Sequence, residues 1–203
     1  MPEERIWFLS DDLKLEGLFQ EGKTPARGAV VAHPHPARGG TMYSNVVEGL
    51  VDALYELGFS TLRFNFRGAG RSEGMYDNGR GEVNDLQGAI SCLRERGAQD
   101  IVLAGYSFGA WIISRYIQAG TDFDKVIFVA PPVSVYPFDT ERLAGRVSLI
   151  ICGDRDSLCP SHGARALGEA IRAPVIEIPR TDHFFVGRED QLIQIVQEYI
   201  QGS

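Results

Sequence analysis

The sequence predicts an α/β fold in which a doubly wound, mostly parallel sheet carries helices on both faces. Short apolar runs alternate with segments of helical periodicity along almost the whole chain, which is typical of parallel sheets. Two apolar runs at the start flank a turn sequence and predict an antiparallel hairpin at the sheet edge. With 203 residues, 44% of them hydrophobic, the chain is expected to form a single domain over residues 1–203.

The elements follow in a regular order. The hairpin is predicted over residues 6–9 and 13–19, joined by Ser10-Asp11-Asp12. Buried strands are predicted at residues 29–32, 60–66, 101–104, 126–129, 149–152 and 175–178. Helical spacing of apolar residues predicts five helices, over residues 46–57, 83–93, 111–117, 164–171 and 192–200. Gly58 is expected to end the first helix, and the third is expected to end near Gly120.

Charge and composition argue against several classes of protein. A net charge of −7 and scattered basic residues disfavour nucleic-acid binding. We find no export signal and no apolar run approaching the roughly 18 residues of a membrane span, so a soluble, cytoplasmic protein without a membrane partner is expected. Cys92, Cys152 and Cys159 are expected to be reduced thiols, the first two buried, whereas Cys159 lies in a loop that leaves an exposed thiol open.

One serine lies at a predicted turn between a strand and a helix. Gly105-Tyr106-Ser107-Phe108-Gly109 follows an apolar strand and precedes a helical pattern, which is the context that the G-x-S-x-G nucleophile elbow requires. The flanking glycines are expected to avoid collisions in a strained turn. This context predicts Ser107 as a nucleophile at the top of the sheet.

A serine hydroxyl needs an imidazole base and a carboxylate that orients the imidazole. Asp154 and Asp156 follow the strand that ends at Cys152, and His183 follows the next strand. Each candidate lies beyond the carboxyl end of a strand, where ligands bind in open α/β sheets. The order serine, aspartate, histidine is that of the α/β-hydrolase triad.

On these motifs the chain resembles the α/β-hydrolase superfamily over nearly its whole length. The resemblance implies that Asp156, third after Gly153, is the acid, with Asp154 as the alternative. If Asp156 is the acid, Asp154 is expected to bond backbone amides of the loop. It also implies an oxyanion hole formed by two backbone N–H groups, one from Phe108 and one from His35. Pro34 and Pro36 have no N–H to offer. The His33-Pro34-His35-Pro36 sequence is similar to a signature of small predicted α/β hydrolases.

Two further motifs could be mistaken for a cofactor site or a metal site. The segment 65–74, Asn65-Phe66-Arg67-Gly68-Ala69-Gly70-Arg71-Ser72-Glu73-Gly74, is interpreted as a turn that shapes the pocket rim. Its third glycine falls at position 74, one residue too late for a dinucleotide fingerprint. His33 and His35 are two residues apart in an extended segment, and they are not expected to hold a metal ion together. Their side chains either fix the loop or contact the substrate, and no cofactor is expected.

The predicted reaction is hydrolysis of a small to medium carboxylic ester or thioester through an acyl-enzyme on Ser107. Between the predicted strands at residues 126–129 and 149–152, the segment 131–146 is only sixteen residues long. This is too short for a cap domain, so an open site is expected. An acyltransferase with the same triad, or a non-catalytic binding protein of this fold, are the alternatives. The oligomeric state is left open. Five side chains are expected around the mouth of the pocket as substrate contacts, namely Met42, Tyr43, Met75, Tyr136 and Phe184.

Overall fold

The structure is a computed structural model that describes residues 2–118 and 123–202. Eight strands form one sheet in the order β1-β2-β4-β3-β5-β6-β7-β8. The strands are β1 (Glu4–Ser10), β2 (Leu13–Gln20), β3 (Arg27–Ala32), β4 (Ser60–Phe64), β5 (Asp100–Tyr106), β6 (Lys125–Val129), β7 (Leu149–Gly153) and β8 (Val175–Ile178). β2 runs antiparallel to both β1 and β4, and every other pair is parallel. The predicted fold class, including the antiparallel edge hairpin, is confirmed.

Within the described residues, six α-helices flank the sheet. They are α1 (Asn45–Glu56), α2 (Arg80–Glu95), α3 (Phe108–Ile117), α4 (Thr140–Leu143), α5 (Ser161–Ile171) and α6 (Glu189–Gln201). A short 3-10 helix, Pro36–Arg38, follows β3. The five helices expected from periodicity are present, whereas the 3-10 helix and α4 were not predicted. The expected helix end near Gly120 lies outside the described residues.

The helices form two layers. α1 and α6 pack against one another on one face, and α2 and α3 pack together on the other. Strand β5 shows why its residues are apolar throughout: Val102 and Ala104 point into the core beneath α1, while Ile101 and Leu103 point into the core beneath α2. A central parallel strand is buried on both faces, so an uninterrupted apolar run is required.

The segment between β6 and β7 is short, and its one helix is the four-residue α4. The carboxyl ends of β3, β5, β7 and β8 therefore meet at one edge of the sheet without an inserted lid. In the described residues, no helix is both long enough and apolar enough to cross a membrane.

Candidate active site

Ser107 occupies the sharp turn between β5 and α3. Its backbone has φ 53° and ψ −115°, a strained conformation for a residue with a side chain. A Cβ atom on Gly105 would lie 2.6 Å from the Ala110 nitrogen, and one on Gly109 would lie 2.3 Å from the Ala32 oxygen. Glycine is therefore required on both sides of the turn, and the strain holds the serine at the end of the sheet.

His183 joins Ser107 to Asp156 in a continuous chain of hydrogen bonds. The Ser107 hydroxyl lies 2.9 Å from His183 Nε2, and His183 Nδ1 lies 2.7 Å from Asp156 Oδ2. An ionised carboxylate can only accept, so Nδ1 carries the hydrogen and Nε2 is left to accept from the serine hydroxyl. This tautomer is the one in which an imidazole can take a proton from serine.

The loop after β7 fixes the Asp156 carboxylate. The backbone N–H groups of Leu158 and Cys159 both donate to Oδ1 at 2.8 Å, so Oδ2 alone faces the histidine. Asp154 lies on the surface instead and accepts the Thr181 N–H at 3.1 Å. Bonds from the backbone at Arg180 and Thr181 lower the pKa of the Asp154 carboxyl. Of the two aspartates considered from the sequence, the structure brings Asp156 to the histidine.

The loop that carries His183 is tied to the neighbouring strands. The Tyr106 hydroxyl, one residue before the serine, donates to the His183 carbonyl oxygen at 2.8 Å. A Cβ atom on Gly153 would lie 2.2 Å from the Thr181 oxygen, so the β7 end and the histidine loop can approach closely only because that residue is glycine. These contacts hold the serine, acid and histidine segments at fixed separations.

The loop after β3 lies against the start of α3. A Cβ atom on Gly109 would also contact the His33 carbonyl, and the His35 ring packs 4.9 Å from the Phe108 ring. Phe108 is the first residue of its helix, a position whose N–H has no partner within the helix. In the described part of the chain, neither this N–H nor that of His35 donates a hydrogen bond to another protein group.

A pocket of about 450 Å³ opens beside Ser107, within the size range of small-molecule sites. Its lining consists of Pro34, His35, Arg38, Gly39, Gly40, Ser44, Asn45, Tyr106, Ser107, Leu158, His183 and Phe184. Eight of these were not predicted from the sequence as site residues, namely Pro34, Arg38, Gly39, Gly40, Ser44, Asn45, Tyr106 and Leu158. Tyr106 and Leu158 adjoin the elbow and the acid loop, whereas no sequence signal marks Asn45. A larger depression of about 700 Å³ around Trp111 does not include Ser107.

Most of the expected substrate contacts lie elsewhere. Phe184 lines the pocket, but Met42 is fully buried, so its prediction as a substrate contact is wrong. The Met42 N–H donates to Asn65 Oδ1 and its carbonyl accepts from Arg63, which together hold the residue inside. Three other residues do not line the pocket. Tyr43 bonds to Arg5, Met75 projects into solvent, and Tyr136 stacks on Trp111 at 4.1 Å.

One further prediction needs correction. The segment 65–74 does not form the pocket rim, because its polar groups turn towards the sheet. The Ser72 hydroxyl donates to the Asn65 carbonyl, and the Arg71 N–H donates to the Glu16 carboxylate at 2.6 Å. For Cys159, whose exposure the sequence left open, the structure shows a fully buried side chain behind the acid loop. Its Sγ lies beside Cys152, and this contact and burial raise the pKa of the Cys159 thiol.

The sheet order, the strained serine turn and the absence of a lid between β6 and β7 define the class of lidless α/β serine hydrolases. The profile of the family described as "Serine aminopeptidase, S33" matches residues 25–148, and the chain belongs to this family of the α/β-hydrolase superfamily. The match covers the elbow but ends before the Asp156 and His183 loops.

Related proteins extend the similarity to the whole chain. An α/β serine hydrolase homologue from Coxiella burnetii is 36% identical, with a TM-score of 0.88 over 98% of this chain and 97% of that one. A serine hydrolase without a lid from Xanthomonas campestris is 28% identical, with a TM-score of 0.89 over 100% and 96% of the two chains. An uncharacterized protein from Rickettsia prowazekii is 31% identical, covering 98% of this chain and 89% of its own length.

Proposed function

We propose that the protein hydrolyses a small to medium carboxylic ester or thioester through an acyl-enzyme on Ser107. The observation that carries the proposal is the hydrogen-bonded chain from Ser107 through His183 to Asp156, which ends in an open pocket. The serine is 6% exposed and the histidine 8%, so both are shielded while the hydroxyl faces the cavity. Partial burial strengthens the electrostatic interactions on which such chemistry depends.

In the first half of the reaction, Ser107 Oγ attacks the ester carbonyl carbon while its proton passes to His183 Nε2. Asp156 stabilises the resulting imidazolium through the Nδ1–H bond. The intermediate then expels the alcohol, or the thiol of a thioester, which takes the proton from Nε2. Water, activated by the same histidine, hydrolyses the acyl-enzyme in the second half and regenerates the serine.

The negative charge that forms on the carbonyl oxygen needs donors that are already in place. We assign this role to the backbone N–H groups of Phe108 and His35. The first begins α3, whose positive dipole end favours an anion. The second lies in the loop that packs against that helix end. Within the described residues, neither N–H group has an acceptor in the protein, so both are available to donate to the substrate oxygen.

The charges around the pocket favour an ester over the amino-terminal residue of a peptide. An aminopeptidase has to bind a free ammonium group, which calls for a carboxylate. Among the described residues, the pocket lining contains no aspartate or glutamate, and its one permanently charged side chain is Arg38. The apolar side chains of Leu158 and Phe184 lie on the lining instead, and both are partly exposed, which suits an acyl or alkyl group.

The direct test is labelling with a fluorophosphonate, which reacts with serines that are activated by a histidine. Mass spectrometry of the intact protein and of its peptides is expected to show one adduct, on Ser107. The Ser107→Ala variant is the control and should remain unlabelled while keeping its thermal midpoint. A folded wild-type protein that acquires no label would refute the proposal and favour a non-catalytic role for the fold.

Substrate class is then tested with p-nitrophenyl esters and thioesters of increasing acyl length, beside aminoacyl p-nitroanilides. We expect turnover of the esters and at least about 100-fold lower kcat/KM for the anilides, given the missing partner for an ammonium group. A reversed preference would point to peptidase activity. Product analysis in mixtures of water and alcohol distinguishes hydrolysis from acyl transfer, because an acyltransferase would yield mainly the new ester.

A further inference from the structure

The His33 imidazole is fully buried behind the pocket and makes a hydrogen bond at each ring nitrogen. The Phe66 backbone N–H donates to Nε2 at 3.0 Å. Nε2 is therefore an acceptor, and the hydrogen of a neutral ring lies on Nδ1. Nδ1 donates this hydrogen to the Pro34 carbonyl oxygen at 2.5 Å. Burial lowers the pKa of His33 to about 4, so the ring is neutral at pH 7, as both bonds require.

The carbonyl that His33 holds belongs to the same peptide group as the His35 N–H. A trans peptide is planar and directs its C=O and N–H in opposite directions, and no cis peptide is present in the described residues. The Pro34 carbonyl faces His33 and the backbone of Gly40, where an added Cβ atom would lie 2.2 Å from the carbonyl oxygen. The His35 N–H therefore points away from this buried side.

The two prolines restrict the same peptide from either side. The Pro34 ring fixes its φ angle, and Pro36 disfavours helical conformations at His35, which is found at φ −54° and ψ 116°. The Arg38 and Gly40 N–H groups both donate to the His35 carbonyl at 3.0 Å and close the loop. Nevertheless, the two proline rings do not fix ψ of Pro34, so they do not by themselves prevent rotation of the Pro34–His35 peptide plane. The bond from His33 supplies that restraint.

We propose that His33 is a positioning residue that holds the Pro34–His35 peptide with its N–H available to the substrate oxyanion. This inference rests on the proposed function, because it concerns the same site. If the peptide rotated, the Pro34 carbonyl would approach the space that the oxyanion occupies, and an electrostatic attraction would be replaced by a repulsion. His33 acts through this peptide and does not itself line the pocket.

A matched pair of variants separates the two bonds. Asparagine at position 33 places its amide nitrogen near the position of Nδ1, where it can donate to Pro34. Glutamine places its amide near Nε2, where it can accept from Phe66 but leaves the Pro34 carbonyl without a donor. We expect His33→Asn to keep kcat within about threefold, and His33→Gln to lose about 10- to 100-fold in kcat with KM changed less than about twofold.

The oxyanion itself can be observed with a trifluoromethyl ketone. Ser107 Oγ adds to the ketone carbon, the carbonyl π electrons move to oxygen, and the serine proton passes to His183, giving a hemiketal. Its 19F shift is followed against pH. His33→Gln is expected to raise the apparent pKa of the hemiketal hydroxyl by about one unit relative to wild type, whereas His33→Asn is expected to leave it nearly unchanged.

Equal losses of kcat in the two folded variants, with no change of the hemiketal pKa, would overturn the inference and reduce His33 to a packing role. If neither variant folds, 15N NMR of histidine-labelled wild-type protein decides: the Nδ1–H tautomer supports the inference, and the Nε2–H tautomer refutes it. Absence of a hemiketal in the wild type would count against Ser107 as a nucleophile, which is a failure of the proposed function. The tautomer would then decide separately whether His33 holds the Pro34 carbonyl.

Discussion

The two oxygens of Asp156 serve different partners, and this division distinguishes it from Asp154. Oδ1 accepts two backbone N–H groups of its own loop, which leaves Oδ2 directed at His183. Asp154 accepts a backbone N–H across the surface and makes no bond to the histidine. This exposed bond does not touch the imidazole, whereas the orientation of the imidazole decides the reaction.

We therefore expect Asp156→Asn to reduce kcat by about 10³- to 10⁴-fold, because an amide at Oδ2 can stabilise the wrong tautomer of His183. Asp154→Asn, the matched control, should lower kcat by less than about tenfold, because Asp154 bonds the Thr181 N–H and not the histidine. Steady-state kinetics on a p-nitrophenyl ester, with thermal melting of both variants, measures the difference. Similar losses at the two positions would contradict the assignment of the acid.

At this scale the sequence locates the reacting side chains better than the residues around them. Ser107 and His183 carry local signals, since one lies in a glycine-flanked turn and the other follows a strand. Met42 carries no sign that it is buried. Its position depends on Arg63 and Asn65, which are more than twenty residues away in the chain and close only in the folded sheet. Contacts of this kind cannot be obtained from local patterns.

Among the elements, the junction of β5 and α3 depends on a close backbone approach. Gly109 lies against the end of β3, and its position sets how near the start of α3 comes to the loop after β3. Long elements with apolar periodicity were predictable, including all the strands and five of the six α-helices. α4 and the 3-10 helix were missed because three or four residues are too few to show a period.

Gly109→Ala is expected to destabilise the fold by about 1–3 kcal/mol and to lower kcat/KM, because its Cβ atom would lie 2.3 Å from the Ala32 oxygen and displace the Phe108 N–H. Gly49→Ala, within α1, meets only Ile193 at 3.5 Å and should stabilise by up to about 1 kcal/mol. Urea unfolding and ester kinetics of both variants check this. An active, stable Gly109→Ala protein would show that the helix start can move freely.

For the whole molecule, the parallel sheet brings distant parts of the sequence together. Ser107 and His183 are 76 residues apart, yet they form one hydrogen bond because β5 and β8 end at the same edge of the sheet. The alternation of strands and helices predicted this convergence. It did not predict the buried network behind the pocket, in which Asn65 and Glu16 link β2, β4 and the loop after β3.

The buried His33 makes the stability of the protein depend on pH. The pKa of His33 is about 4 in the folded protein and 6.5 in the unfolded chain, so the unfolded chain binds the proton more readily. The contribution of His33 to the free energy of unfolding is fully present above pH 6.5 and is lost as the pH falls towards 4. At about 1.4 kcal/mol for each pH unit, the loss reaches about 3 kcal/mol. Burial lowers the pKa of His35 as well, which acts in the same direction.

Urea unfolding at pH 7 and pH 5 is expected to show this loss of free energy in the wild-type protein. His33→Asn, which has no titrating group at this position, should show a smaller change over the same interval. A wild-type unfolding free energy that stays constant from pH 7 to pH 5 would mean that His33 can be protonated in the folded state without cost.

The burial of Cys159 gives the protein an internal reporter of motion in the acid loop. Its backbone N–H holds Asp156, while its thiol is shut away from solvent; Cys92, by contrast, is partly exposed on α2. An alkylating reagent can reach Cys159 only when the loop opens. The rate at which this thiol is alkylated, followed peptide by peptide, therefore measures how often the loop that carries Asp156 opens, and does so without any substitution in the chain.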